Sequence, residues 1–195
     1  MRMPFVAPPA AAAWQHRDAR SGFEVAFFQL RDDGCRIEGS TAAVEDGAAW
    51  IVEYEILLDA AWTTRSARVS GRSASGSRLV ALDADGAGSW RVNGMPAPHL
   101  EGCLDVDLES SAVTNALPVH RMGLGIGRRA AAPAAYVRAL QLTVERLEQT
   151  YARLPDDGPH QRYDYAAPVF DFACQLAYDE SGLLLDYPGI AVRAR

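Results

Sequence analysis

The chain has 195 residues, close to half apolar and about a quarter charged, which suits one domain with a sizeable core. Its net charge is −6 and its nineteen long basic side chains are all arginine, a balance that argues against a nucleic-acid backbone as a general partner. No window approaches the ~20 consecutive apolar residues of a membrane-spanning helix, and the short apolar stretch Phe5 to Trp14 is broken by Pro8 and Pro9, too short for a secretory leader.

In chain order, the first predicted strand is Phe23 to Leu30, closed by the turn Asp32-Asp33-Gly34. Cys35 to Val44 follows, ending at Glu45-Asp46-Gly47. Ala48 to Leu58 carries Trp50, Val52, Tyr54, Ile56 and Leu58 at a period of two, the plainest half-buried strand in the chain. Trp62 to Ser73 reads as a further strand with polar residues on both faces, as in a sheet that lines a polar cavity. Ser77 to Leu82 and Gly88 to Val92 extend the meander, and Asn93-Gly94 signals a two-residue hairpin. The acids of Gly102 to Leu108 alternate with Leu104, Val106 and Leu108, as on a strand. Thr114 to Val119 reads as an irregular loop leading into a short strand bearing His120 and Arg121. Gly123 to Pro133 is a loop, and its glycines lack the lysine and following helix of a phosphate-binding loop. Residues 134–154 fit both a helical spacing and an alternation; Thr143, Val144, Thr150 and Tyr151 favour a strand pair continuing the meander. Phe170 to Tyr178, Leu183 to Asp186 and a short segment to Arg193 complete the chain, with a tight turn at Tyr187-Pro188-Gly189 whose Asp186 would pair with Arg193 or Arg121. The expectation is mainly β: one domain over 1–195, with residues 1–20 the least ordered.

Gly102-Cys103-Leu104-Asp105-Val106-Asp107-Leu108, Thr114-Asn115-Ala116-Leu117-Pro118 and Asp186-Tyr187-Pro188-Gly189 together resemble the bacterial "putative glycolipid-binding" family. Gly34 to Gly39, Tyr54 through Arg65, Gly88 to Gly94 and Gln149-Thr150-Tyr151 fit in the same order, so the resemblance runs over nearly the whole chain. It implies a long antiparallel meander sheet wrapped as a spiral β-roll, similar to envelope lipoprotein carriers, with few short helices and a lipid or glycolipid as ligand. Ser110-Ser111-Ala112-Val113 and His120 stand where the family pattern has a Thr-Pro pair and an arginine.

Within that frame, Trp62, Arg65 and Arg68 offer an apolar wall and a guanidinium fork for an amphiphile, against the plainer reading that Trp62 is core and the arginines are solvated. Asp105 and Asp107, two apart on a strand, share a face and could put two carboxylates in one cavity, against the plainer reading that they meet arginines or solvent. Asn115 either shapes its loop or bonds a sugar hydroxyl, and Arg121 is either an ion-pair partner or an anchor for a head group. Trp50, Tyr54, Trp90, Phe170 and Phe172 read as core. Cys35, Cys103 and Cys174 are odd in number and far apart, as in reduced thiols of the cytoplasm, and the four scattered histidines suggest no metal site; no cofactor is implied. The favoured reading is non-catalytic binding of a lipid-like molecule. The alternatives are a small hydrolase using Asp105, Asp107 and His120 as acid and base, and a homodimer built through sheet edges.

Overall fold

The computed structural model describes residues 5–194. In chain order the strands are β1 (Ala11–His16), β2 (Ser21–Arg31), β3 (Gly34–Glu45), β4 (Ala48–Asp59), β5 (Thr64–Ser73), β6 (Gly76–Ala84), β7 (Trp90–Val92), β8 (Met95–Pro96) and β9 (Asp105–Leu108). After helix α1 (Ala116–Met122) come β10 (Arg129–Ala131), β11 (Ala134–Val137), β12 (Val144–Leu147), β13 (Thr150–Arg153), β14 (Gln161–Ala167), β15 (Phe172–Tyr178), β16 (Leu184–Tyr187) and β17 (Ala191–Arg193). Of the N-terminal segment expected to be least ordered, residues 1–4 lie outside the described residues, while Ala11–His16 form a strand in the middle of the sheet.

Fourteen strands make one antiparallel sheet in the order β10-β13-β14-β15-β16-β17-β1-β2-β3-β4-β5-β6-β7-β8. The two halves of the meander meet where β1 pairs with β17, with Trp14 opposite Arg193. The outer strands β10 and β8 do not pair with each other, so the sheet curls without closing into a barrel. Local chemistry sets the hairpins. Asn93 and Gly94 have φ of +50° and +78° between paired Val92 and Met95, the left-handed pair a two-residue turn requires.

The alternation read from the sequence is the one that folds. Trp50, Val52, Tyr54, Ile56 and Leu58 of β4 are all buried, and their neighbours face outward. Gly39 of β3 lies opposite Tyr54, where a Cβ would meet the Tyr54 ring at 2.4 Å or less, so only glycine lets that ring cross β3 and reach Glu24 on β2.

The middle of the chain fills the curl. β9, β11 and β12 form a second, three-stranded sheet in which β11 runs parallel to β9 and antiparallel to β12. Strands from both halves of the large sheet hold this insert. Thr41 Oγ1 donates to the Ser110 carbonyl at 2.7 Å, the Thr64 amide to the Leu104 carbonyl at 3.0 Å, and the Tyr178 hydroxyl to the Asn115 carbonyl at 3.1 Å. Leu100, Val106, Val113, Leu117 and Val119 of the insert are fully buried inside the wrap.

Some expectations need correction here. Residues 134–154 are strands, but the β11–β12 hairpin belongs to the inner sheet and not to the meander. His120 and Arg121 lie on α1, where a strand was expected; Pro118 falls in its first turn, where a missing N–H costs nothing. Phe170 is 40% exposed and not core. Arg193 and Arg121 pair with Asp179 and Asp105, so neither goes to Asp186.

Candidate binding site

Asp105 and Asp107 do share a face of β9, but they meet different fates. Asp105 is fully buried and gripped by Arg121, whose Nε and Nη2 donate to its two oxygens at 2.9 and 2.5 Å. Burial still pushes its carboxyl above the ordinary range, against the pull of Arg121. Asp107 accepts a hydrogen bond from Thr114 Oγ1 at 3.0 Å, and among the described residues no cation pairs with it. Burial foremost, with the nearby charges of Asp105 and Glu109, raises it to about 6.

Asp107 and Asn115 line a cavity of about 250 Å³. Tyr136 of β11, Tyr165 of β14, Phe172 of β15, Tyr187 of β16 and Phe170 from the turn Pro168–Phe170 make its walls. Tyr165 and Phe172 each meet Tyr187 edge to face at 5.9 Å, and Tyr136 lies tilted against Phe170 at 5.6 Å. Asn115 Nδ2 donates to the Tyr151 hydroxyl at 3.0 Å, which fixes the loop beside Asp107. Arg20, Glu109 and Arg138 complete the lining. Arg20 donates to the Glu109 carbonyl at 3.1 Å and lies over Trp50; Arg138 pairs with Glu109 at 3.3 Å and Glu145 at 3.4 Å.

The other sequence candidates do not line this cavity. Asp105 and Arg121 form a buried pair outside its lining. Trp62 leaves the strand: Asp59 Oδ1 accepts the Ala61 and Thr63 amides, holding Trp62 at a φ of +65° in the β4–β5 turn, where it stacks on His120 at 3.5 Å. Phe5 packs on the same imidazole, which does not line the cavity. Arg65 and Arg68 are exposed on β5. Conversely, Arg20, Tyr136, Arg138, Tyr165, Phe170, Phe172 and Tyr187 were not read from the sequence as site residues. The one signal for them was the density of aromatic residues after Tyr163, which reads equally well as core.

A curled open sheet around a short insert, with an aromatic cavity between the insert and strands β14 to β16, defines a class of open β-roll. The chain belongs to the family described as "Putative glycolipid-binding", whose model matches residues 11–193. It is similar to a crystal structure of a DUF1089 family protein from Pseudomonas aeruginosa, 32% identical with a TM-score of 0.75 over 96% of this chain and 94% of that one. A beta-barrel-like protein of the domain of unknown function DUF1849 from Brucella abortus is 12% identical with a TM-score of 0.54, over 97% of this chain and 95% of that one, a likeness of fold alone. No curated protein matches the sequence.

Proposed function

We propose that this chain is a non-catalytic binding protein that takes the polar head of a lipid-like or glycolipid-like molecule into the aromatic cavity. The observation that carries this reading is the pairing of Asp107 and Asn115 with five aromatic rings in one half-open cavity. Ring faces pack against the C–H faces of a sugar, and a carboxylate accepts its hydroxyls. The volume of about 250 Å³ falls below the ~300–1,000 Å³ of common small-molecule sites, so a head group fits and a whole lipid does not. Next to the cavity residue Phe170, Val169 is 70% exposed and would offer apolar contact to the rest of the ligand. Asp105 and Arg121 contribute by holding β9 and α1 together, and so orient Asp107.

Hydrolysis is the weaker reading. It needs two carboxyl groups flanking a bond, and here Asp105 is taken up by Arg121, and His120 by Trp62 and Phe5. Placement in the cytoplasm is supported by three unpaired thiols at Cys35, Cys103 and Cys174.

Native mass spectrometry of the protein isolated from its natural source tests the binding reading. An adduct of defined mass is expected on the wild type and not on Phe170→Asp, a rim substitution at a partly exposed position. Adduct-free wild type, or an adduct indifferent to Phe170→Asp, would remove the support for this cavity.

A further inference from the structure

We propose that the head group taken by this cavity carries a positively charged amine, with Asp107 as its counter-ion. The inference rests on the binding reading above and narrows it from any polar head to an ammonium.

The geometry separates the two acids of β9. Asp105 already has its cation in Arg121, whereas Asp107 faces the cavity with the Thr114 hydroxyl and the Gln149 amide as neutral partners and no charge partner among the described residues. A buried carboxylate left without a cation is costly, and a cationic ligand would supply the missing charge. The walls suit the same guest, because the faces of tyrosine and phenylalanine rings attract cations most strongly when water is excluded. Two of those rings already hold one. The Arg138 guanidinium lies 5.2 Å from the Tyr136 centroid and 5.3 Å from that of Phe170.

The approach carries the same sign. A depression of about 460 Å³ adjoins the cavity, shares Glu109 and Arg138 with it, and adds Glu45, Asp46 and Glu145. Cavity and depression together present five carboxylates and two guanidiniums. Both guanidiniums are engaged by acids of the same surface, Arg20 with Glu45 at 3.6 Å and Arg138 with Glu109 and Glu145. Such a field draws in a cation and repels a phosphate, sulfate or carboxylate head.

The groups facing Asp107 are Asp105 and Glu109 from its own segment, Tyr136 of β11, Tyr151 of β13, Tyr165 of β14, Tyr178 of β15 and Tyr187 of β16, with Arg20 and Arg138 at the mouth. Burial raises all five phenols above their ordinary range, so they stay neutral below pH 8. A cation-dependent affinity between pH 5 and 7.5 therefore follows the carboxylates.

Three amphiphiles with the same ten-carbon chain decide the matter, each titrated calorimetrically as a monomer: decyltrimethylammonium, decyl glucoside and decyl sulfate. At pH 7.5 the ammonium is expected to bind at least about tenfold more tightly than the glucoside, and the sulfate most weakly. Asp107→Asn should cost the ammonium about tenfold and leave the glucoside within about threefold. If that variant does not fold, wild-type affinity for the ammonium should fall as the pH drops from 7.5 to 5 while glucoside affinity holds. Glucoside or sulfate binding as tightly as the ammonium overturns the inference and leaves the binding reading standing. So does an equal loss of both ligands in Asp107→Asn, or on acidification. No binding by any of the three overturns both.

Discussion

Asp107 costs the empty protein stability, and that cost is measurable. Its carboxyl is raised in the folded chain to about 6, above the ~3.9 of an unfolded aspartate, so the folded state binds the extra proton between those values. The stability of the fold therefore falls as the pH rises through that window, by about 3 kcal/mol, and stays lowered above it. Asp107→Asn should melt roughly 6–12 °C higher than wild type at pH 7.5 and within a degree or two of it near pH 3, where the aspartate is mostly protonated in both states. Scanning calorimetry at the two pH values checks this, and an equal gap at both would show that the charge is not the cause. A group that weakens the fold yet lines a cavity is what a binding site looks like at this scale. The sequence made the acid pair of β9 legible through its period of two. Their separate roles were not legible, since these depend on Arg121 arriving from α1 at one acid and on ring side chains from five distant elements gathering round the other.

At the scale of elements, long strands announce themselves and short inner pieces do not. β4 shows its alternation because one face meets the insert and the other meets water. α1 has seven residues, four of them fully enclosed, so no polar stripe marks its helical period, and Val119 and Pro118 argue locally against a helix. β9 and β11 are likewise buried at every position, which erases the alternation that would tell a meander strand from a strand of a second sheet. The element that joins the two halves of the meander is β17. It pairs with β1, and Arg193 covers the Trp14 ring at 4.7 Å while the Trp14 indole donates to the Leu184 carbonyl at 2.8 Å on β16. Deleting residues 190–195 should lower stability by roughly 2–5 kcal/mol from lost ladder bonds alone, read as an earlier urea midpoint and faster amide exchange along β1. An unchanged midpoint would mean that β1 and β17 do not hold the halves together.

At the scale of the whole molecule, the order of the meander was legible from turn signals, while the curl around residues 97–147 and the junction of β1 with β17 were not. Both are long-range pairings for which neither strand carries a local mark. The open sheet ends on blunt edges. β8 is two residues long and contains Pro96, and β10 is three residues long beside Arg128 and Arg129. Short, proline-bearing and charged edges resist pairing with another sheet. Light scattering at micromolar concentration should therefore report a monomer; a stable dimer would direct attention to Phe23 and Phe27, exposed on the outer face of β2. The cavity lining runs from Arg20 to Ile190, so the pocket is assembled from the two ends of the chain and from its middle. Contacts of such sequence separation come late in folding, after the loop-closure entropy has been met. The cavity is thus among the last things the chain makes. A ligand has nothing to hold during synthesis or collapse, and it enters the kinetics of this protein only as a brake on unfolding.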